Sequence, residues 1–315
     1  MGSLEEIKVL VTGPTGFIGS HLVRRLVNEN CKVNVISRNE IRLKHHPIIN
    51  GVLDKLKIFH SDMQDFSSLK ESVTTIEPEI IFHMGALVVP YMDFETAKTC
   101  VQTNIQGTLN LLNASKDINY SSFIHMGSYE VYGHGKIPFS EEQPPEPISP
   151  YSISKVSSEL FCRYVQKVYG SPITLLRLSN VYGPNQNPER LIPYVINGCL
   201  KKKELVLTKG DQTRDFLYIE DAIEGIIRSS VCKKATSETI NIASGTEVKI
   251  KNVVEKILNI TGNPVIPNYT LENRAYEPER WYCNITKAKK ILDWEPLYDL
   301  DKGLEKTVRW YKNNE

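Results

Sequence analysis

Five short apolar segments recur in the first 130 residues, and they constrain the fold more than any other feature. They read KVLVTG (8–13), KVNVIS (32–37), KIFHSD (57–62), EIIFHMG (79–85) and SFIHMGS (122–128). Segments with helical apolar spacing lie between them, such as HLVRRLVNEN (21–30) and TNIQGTLNLLNAS (103–115). Near-continuous apolar strands separated by helices are typical of a parallel sheet covered on both faces. The alternation therefore predicts a doubly wound α/β fold of the Rossmann type.

A glycine-rich segment, GPTGFIGSH (13–21), joins the first predicted strand to the first predicted helix. Its glycines have the spacing G-x-x-G-x-x-G, which permits a tight turn and a close approach of a pyrophosphate to the backbone. The helix N-terminus adds unpaired N–H groups and a positive dipole end. Because a second strand begins about 20 residues later, we interpret the segment as a dinucleotide-binding loop rather than an ordinary turn. The expected contacts are Gly13, Thr15, Gly16, Phe17, Ile18 and Gly19.

The end of the second strand distinguishes NAD from NADP. An acidic residue at this point would bind the adenosine ribose of NAD, whereas this chain has Ser37 and Arg38. Because a guanidinium suits a 2′-phosphate well, we expect NADP, with NAD as the alternative. Further cofactor contacts are expected from Asp62, Met63, Met84, Gly85, Ala86 and Leu178.

The pattern loosens after about residue 180, where shorter elements are separated by loops rich in proline, asparagine and charge. We assign residues 1–180 to the dinucleotide-binding domain and 181–315 mainly to a smaller C-terminal α/β substrate region. Residues 205–245 are expected to contribute later strands to the core of the first domain. Such a division is ordinary for a chain of 315 residues.

SPYSISK (149–155) places a phenol and an ammonium four residues apart, on the same face of a predicted helix. Ser149 and Pro150 fit an N-cap and a first-turn proline. Because a nearby cation favours the charged form of a phenol, we expect Lys155 to lower the pKa of Tyr151. An ordinary surface pair would have the same spacing, so the other motifs decide between these interpretations.

Five motifs in order resemble those of the extended short-chain dehydrogenases/reductases, and among these the NAD(P)-dependent nucleotide-sugar epimerases, dehydratases and reductases of carbohydrate biosynthesis. The motifs are the glycine loop, GSYEVYG (127–133), Y-x-x-x-K (151–155), RLSNVYGP (177–184) and TRDFLYIEDA (213–222). The resemblance implies that Tyr151 is a general acid/base on a sugar oxygen, that Ser128 binds the same oxygen, and that Lys155 holds the nicotinamide ribose. It also implies that Asn104 orders this site.

The same resemblance implies that the substrate is a nucleoside-diphosphate sugar. The expected contacts are Val88, Ser128, Asn180, Arg190, Leu191, Arg214, Arg274 and Glu277. Arginines in the C-terminal region would bind the diphosphate through charge-assisted hydrogen bonds. Tyr276 and Glu277 depart from the family's R-x-G-D pattern, which puts the local fit to ribose in question.

Three reactions share this scaffold: 4-keto reduction, 4-epimerisation and 4,6-dehydration. Glu130 stands where dehydratases and decarboxylases of the family carry a catalytic glutamate, whereas Tyr129 stands where one type of dehydratase has an acidic proton donor. Because Arg38 favours NADP, we expect a reductase of an NDP-4-keto-6-deoxyhexose. The alternatives are a 4-epimerase, a 4,6-dehydratase and, more remotely, a cofactor-binding sensor without catalysis.

Composition argues against several other functions. The chain has 38 basic and 37 acidic residues, for a net charge of +1, which does not indicate a nucleic-acid-binding surface. Its six cysteines form no CxxC pair, so we expect neither a metal site nor disulfides. We also find no signal segment and no run of ~18 apolar residues, and expect a cytoplasmic protein without membrane contact. From the resemblance we expect a homodimer built on the helices that contain Asn104 and Lys155.

Overall fold

We describe a computed structural model of the chain, which covers residues 4–262, 265–272 and 278–314. These residues contain thirteen strands, β1 (Lys8–Thr12), β2 (Lys32–Ser37), β3 (Lys57–His60), β4 (Ile80–His83), β5 (Ser122–Ser128), β6 (Ile173–Leu178), β7 (Asn180–Tyr182), β8 (Val206–Thr208), β9 (Thr213–Arg214), β10 (Phe216–Tyr218), β11 (Thr239–Ile242), β12 (Val248–Lys249) and β13 (Asn268–Leu271).

The same residues contain eleven α-helices, α1 (Phe17–Asn28), α2 (Glu40–Lys44), α3 (Phe66–Ile76), α4 (Phe94–Cys100), α5 (Gly107–Ser115), α6 (Pro150–Tyr169), α7 (Leu191–Leu200), α8 (Ile219–Val231), α9 (Ile250–Thr261), α10 (Thr286–Leu292) and α11 (Leu300–Asn313). A π-helix, Val101–Gln106, joins α4 to α5, and short 3₁₀ turns occur at Asn50–Lys55, Tyr129–Tyr132 and Lys233–Ala235. No helix among the described residues is long and apolar enough to cross a membrane.

The central sheet has seven strands in the order β11-β6-β5-β4-β1-β2-β3, and every neighbouring pair is parallel. The chain extends this sheet from β1 in one direction through β2 and β3, then in the other through β4, β5 and β6. In such folds, ligands bind beyond the carboxyl ends of the strands where this reversal occurs. The predicted doubly wound parallel fold is confirmed, and the expected ligand position is next to the ends of β1 and β4.

Successive residues of β1 pack against helices on opposite faces of the sheet. On one face, Val9 and Val11 of β1 lie in a buried cluster with side chains of α1 and α8. On the other face, Leu10 lies in a second cluster with side chains of α3, α5 and α6. Because strand side chains alternate between faces, a strand covered on both sides must be apolar at every position. This requirement explains the continuous apolar segments in the sequence.

The chain beyond β6 forms three small two-stranded sheets, which pair β7 with β10, β8 with β13 and β9 with β12. Side chains of α7, α9 and α11 join the same buried cluster as Val9 and Val11 of β1. Strand β11 returns to the central sheet beside β6, so a strand from the 205–245 segment does extend that sheet. The division at residue 180 itself stays a prediction.

Candidate active site

The glycine loop lies against the end of β4, and this contact leaves no room for side chains. Gly13 has φ +65°, and a Cβ added to it would lie 2.7 Å from the Cα of Gly85. A Cβ at Gly19 would overlap the carbonyl oxygen of Gly13. Close backbone contacts therefore require two of the three predicted glycines, Gly13 and Gly19.

The loop also fits the diphosphate of a dinucleotide. Helix α1 begins after Gly16, which as N-cap offers no side chain to the first N–H groups of the helix. Those groups and the positive dipole end are a suitable site for an anion. Thr15 lies in the loop, and Phe17 and Ile18 lie in the first turn of α1. The predicted loop residues thus lie together and can hold the cofactor diphosphate.

The predicted adenosine end of the cofactor site lies beyond β2 and β3. There the Arg38 guanidinium forms an ion pair with the Asp62 carboxylate, with 3.5 Å between Nη1 and Oδ2. Ser37 accepts a hydrogen bond from the backbone N–H of Asn39. Met63 is held by Asn110, whose side-chain amide donates to its carbonyl oxygen at 2.8 Å. The cation expected to bind a 2′-phosphate therefore already has an acidic neighbour.

A buried polar chain, which the sequence interpretation missed, supports the ends of β1 and β4. The hydroxyl of Thr12 lies 2.8 Å from Nδ1 of His83 and accepts a hydrogen bond from the N–H of Gly85. Nε2 of His83 lies 2.9 Å from the hydroxyl of Thr108, which donates to the carbonyl oxygen of Asn104. Burial lowers the pKa of His83 to about 3, so its imidazole is neutral. A polar residue inside an apolar strand was the signal that could have revealed this chain.

Asn104 connects the segment after β4 to helix α6. Its Oδ1 accepts from the N–H of Leu87, and its Nδ2 donates both to the carbonyl oxygen of Leu87 and to the Ser154 hydroxyl. Asn104 lies in the π-helix, an irregularity common at functional sites. It therefore orders the surroundings of the site, while Met84 and Ala86 flank Gly85 in the segment that it holds.

Helix α6 begins as the sequence predicts. The Ser149 hydroxyl accepts from the N–H of Ser152, the Ser152 hydroxyl accepts from the N–H of Ser149, and Pro150 occupies the first turn. Reciprocal capping of this kind fixes the first turn of a helix. Tyr151 and Lys155 are therefore held on a rigid support, with side chains 6% and 4% exposed.

The electrostatic environment of Tyr151 differs from our expectation. Burial raises the pKa of Tyr151, and the Glu130 carboxylate acts in the same direction. The Ser128 side chain and the Arg190 guanidinium act in the opposite direction but do not outweigh burial. The expected lowering of the Tyr151 pKa is therefore wrong, because desolvation of the phenolate dominates.

The Lys155 ammonium is hydrogen-bonded to the backbone of β5. Its Nζ donates to the carbonyl oxygen of Met126 at 2.7 Å. Burial lowers the pKa of Lys155 to about 8, since a desolvated ammonium loses its hydration. Ser128 ends β5 and pairs in register with Leu178 of β6. The sheet thus brings Ser128 and Leu178 to the edge that α6 covers.

Tyr129 and Glu130 have opposite environments, although they are neighbours in sequence. The Tyr129 ring is 1% exposed and contacts the Trp281 and Phe139 rings, at centroid distances of 5.3 and 6.4 Å. Glu130 is partly exposed, and its carboxylate raises the pKa of Tyr151. Of this pair, Glu130 therefore acts on Tyr151, and Tyr129 belongs to an aromatic core.

Several of the predicted substrate residues lie at or after the start of β7, whereas Val88 and Ser128 lie earlier in the chain. Arg190 is the N-cap of α7, and its Nη2 donates to the carbonyl oxygen of Val88 at 3.3 Å. Leu191 follows it as the first residue of α7. Because Arg190 also acts on the pKa of Tyr151, it lies near that tyrosine. Asn180 begins β7 and donates its N–H to the carbonyl oxygen of Asp215.

Arg214 is buried, and its guanidinium stacks 4.8 Å from the Trp281 ring centroid. Its Nη1 donates to the carbonyl oxygens of Thr213 and Pro278. It therefore holds the backbone beside the substrate region, and its predicted contact with a diphosphate stays a prediction. Arg274 and Glu277 lie outside the described residues.

Comparison with known proteins identifies the family of the chain. The family model of GDP-mannose 4,6 dehydratase matches residues 10–307. The chain is 31% identical to dTDP-glucose 4,6-dehydratase 1 of Escherichia coli, over 98% of this chain and 93% of that protein. It is 30% identical to UDP-glucuronate 4-epimerase of Thermodesulfobacterium geofontis, over 97% and 96%.

A solved structure agrees with the same assignment. The Bacillus cereus UDP-glucuronic acid 4-epimerase, in complex with UDP-glucuronic acid and NAD, superposes with a TM-score of 0.90 at 30% identity, over 98% of this chain and 100% of that one. The chain therefore belongs to the extended short-chain dehydrogenase/reductase family of nucleotide-sugar epimerases and dehydratases.

Proposed function

We propose that the protein is an NAD-dependent 4-epimerase of a nucleoside-diphosphate sugar. The observation that carries this proposal is the placement of Ser128 and Tyr151 together, with Lys155 one helical turn from the tyrosine. The related proteins named above are epimerases and dehydratases, so the reductase that we first expected has less support. A 4-epimerase needs no further acid or base beyond these residues.

In this reaction Tyr151 exchanges a proton with the oxygen at C4 of the sugar, first as a base and then as an acid. Ser128 orients the same oxygen, and Lys155 holds the ribose next to the reacting carbon. Bound NAD would supply the acceptor, and later the donor, of the C4 hydride. Because the tyrosine is only 6% exposed, bulk water is kept from the intermediate. The cation Arg190 favours the phenolate that the first step requires.

A 4,6-dehydratase is the second candidate, and Glu130 favours it. Dehydration needs a group that removes the proton at C5 and returns one to the hydroxyl leaving C6. The Glu130 carboxylate is close enough to raise the pKa of Tyr151, whereas the buried Tyr129 cannot serve as that acid/base. In this case Glu130 would perform both proton transfers.

One experiment separates these reactions. The purified protein is incubated with UDP-glucose, UDP-glucuronic acid, dTDP-glucose and GDP-mannose, and the products are analysed by mass spectrometry and NMR. An epimer has the mass of its substrate, whereas a dehydratase product has lost one water. If neither product forms and NADPH is consumed with NDP-4-keto-6-deoxy sugars, the reductase is correct and our proposal is wrong.

NAD is the cofactor that we now favour over NADP. Asp62 lies within ion-pairing distance of Arg38 and would repel a 2′-phosphate while accepting hydrogen bonds from ribose hydroxyls. The related epimerase structure contains NAD, which supports the same choice. Isothermal titration with each dinucleotide tests it directly, and tighter binding of NADP would reverse it.

The expected homodimer has support from an exposed apolar stripe. On α6 its members are Ile153, Leu160, Phe161, Tyr164 and Val168, with exposures from 37% to 60%. Phe94 of α4 and Val101 of the adjoining π-helix are also exposed, at 94% and 52%. Packing of these helices against their copies in a second chain would cover the stripe, and we infer that the protein dimerises through them.

A further inference from the structure

Helix α6 presents a buried carboxylate on the face that carries Tyr151 and Lys155. Glu159 follows Lys155 by four residues, as Lys155 follows Tyr151, so all three side chains lie along one line of the helix. The Glu159 side chain is 3% exposed. A Cβ added to Gly127 of β5 would lie 2.6 Å from its Oε1. The glycine next to Ser128 therefore makes room for this carboxylate.

Arg177 of β6 holds the Glu159 carboxylate from the sheet side. Its Nη2 lies 2.7 Å from Oε2, and its Nε lies 3.2 Å from both carboxylate oxygens. The Arg177 side chain is also only 3% exposed, and its guanidinium lies 4.7 Å from the Tyr132 ring centroid. A buried ion pair is often no more stabilising than apolar residues of the same volume. The need for a fixed carboxylate at this point therefore requires an explanation other than stability.

Glu159 is the main group that opposes the effect of burial on Lys155. Desolvation lowers the pKa of Lys155, and the Glu159 carboxylate acts most strongly in the opposite direction. Because Arg177 engages both carboxylate oxygens, Glu159 stays one turn away and does not draw the ammonium from the Met126 carbonyl oxygen. The ammonium therefore keeps both its charge and its position.

The other titratable groups near Lys155 are neutral. Burial lowers the pKa of His83 on β4 and of His125 on β5, so neither imidazole is charged near neutral pH. Burial raises the pKa of the Cys100 thiol on α4 and of the Cys162 thiol on α6. The Tyr151 phenol is likewise neutral, as shown above. Among the described groups that act on Lys155, the Glu159 carboxylate thus supplies the negative charge.

We propose that Glu159, fixed by Arg177, is a positioning residue that keeps the Lys155 ammonium charged and aligned with Tyr151. The role of Lys155 in holding the nicotinamide ribose rests on the proposed function, whereas the effect of Glu159 on Lys155 does not. The two can therefore fail separately, and the experiment is arranged accordingly.

The direct test is the titration of Lys155 in protein labelled with ¹³C at the lysine ε-carbons. Its NMR signal is assigned as the one absent from Lys155→Met. We expect a midpoint at about pH 8 in the wild type. Glu159→Gln should lower this midpoint by about one unit or more, since it removes the nearby anion. Arg177→Met should raise it, because the carboxylate then acts on Lys155 without its counter-ion.

The opposite signs of these shifts distinguish our proposal from a merely structural role. If the ion pair only stabilises the fold, both variants should loosen the same region and move the midpoint in the same direction, or not at all. Either result would overturn the proposal. The double variant Glu159→Gln/Arg177→Met leaves neither charge buried and unpaired, so its midpoint should lie between those of the two single variants, which guards against a single variant that does not fold.

Activity then reports on the proposed function. The pH at which turnover declines on the alkaline side should move with the Lys155 midpoint in each variant. If the midpoint moves but no nucleotide sugar is converted by any form of the protein, the proposed function fails and the role of Glu159 stands. If turnover occurs and the midpoint is the same in Glu159→Gln as in the wild type, the role of Glu159 fails alone.

Discussion

The proposed cofactor end and the proposed sugar end of the site differ in the kind of contact that forms them. At the cofactor end, the contacts are between backbone atoms. Gly13 and Gly19 have no space for a Cβ, and the residues that follow β4 lie directly against the loop. At the sugar end, the surroundings of Tyr151 and Lys155 come from separate segments, namely β5, α6 and Arg190 at the start of α7. A backbone requirement appears in a sequence as spaced glycines, whereas a side-chain environment is assembled from distant segments. The first end is therefore much easier to predict than the second.

The largest effect is expected at the sugar end, from loss of the reacting hydroxyl. Tyr151→Phe should lower turnover by about a thousandfold, because it removes the proposed acid/base and leaves the ring packing intact. Binding of the dinucleotide, measured by isothermal titration, should change little. Tyr164→Phe on the exposed face of α6 is the matched control and should keep wild-type turnover. Equal losses in both variants would show that the assay reports helix packing and not chemistry.

The next largest effect is expected at the cofactor end. Gly19→Ala should weaken dinucleotide binding by about a hundredfold, because its Cβ would overlap the Gly13 carbonyl oxygen and displace the loop. Gly51→Ala is the control, since nothing lies within 4 Å of a Cβ at that position. If Gly19→Ala binds the dinucleotide as tightly as Gly51→Ala does, the loop is not the cofactor site that we describe.

These two ends also show which features of the fold and the site could be predicted from the sequence. The glycine loop, the parallel sheet and the capped start of α6 were predicted, because each depends on residues close together in the chain. The burial of Tyr129 against Trp281 was not, since the two residues are more than 150 positions apart. The pKa direction of Tyr151 was also wrong, because spacing indicates the neighbour at 155 but not the desolvation. Burial, which decides both cases, is a property of the packed chain.

Glu130 gives a pH-dependent prediction at the sugar end. Its carboxylate raises the pKa of Tyr151, so Glu130→Gln should lower that pKa and move the rise of turnover with pH towards lower pH. We expect a shift of about half a unit to one unit in the pH–rate profile, with most of the maximal rate retained. A loss of about a hundredfold at every pH would instead assign proton transfer to Glu130 and favour the dehydratase.

The exposed face of α6 offers a test of assembly, which is distinct from both ends of the crevice. Leu160→Glu places a charge in the centre of the apolar stripe and should convert the dimer to a monomer in light scattering after gel filtration. Ile41→Glu is the control, because Ile41 is also exposed, at 72%, but lies on α2 outside the stripe. A wild-type protein that is already monomeric at micromolar concentration would contradict the dimer.

The smallest effect is expected where the cofactor end depends on side chains rather than on backbone contact. Asp62→Asn removes the acidic neighbour of Arg38 and should improve the affinity for NADP relative to NAD by about threefold to fivefold, because exposed ion pairs are weak. The pair is 65% and 39% exposed, so salt should reduce the difference further. Arg38→Gln should act in the opposite direction and by a similar factor. If neither variant alters the ratio of the two affinities, Arg38 and Asp62 do not determine the choice of dinucleotide. The selectivity would then depend on the backbone contacts of the glycine loop.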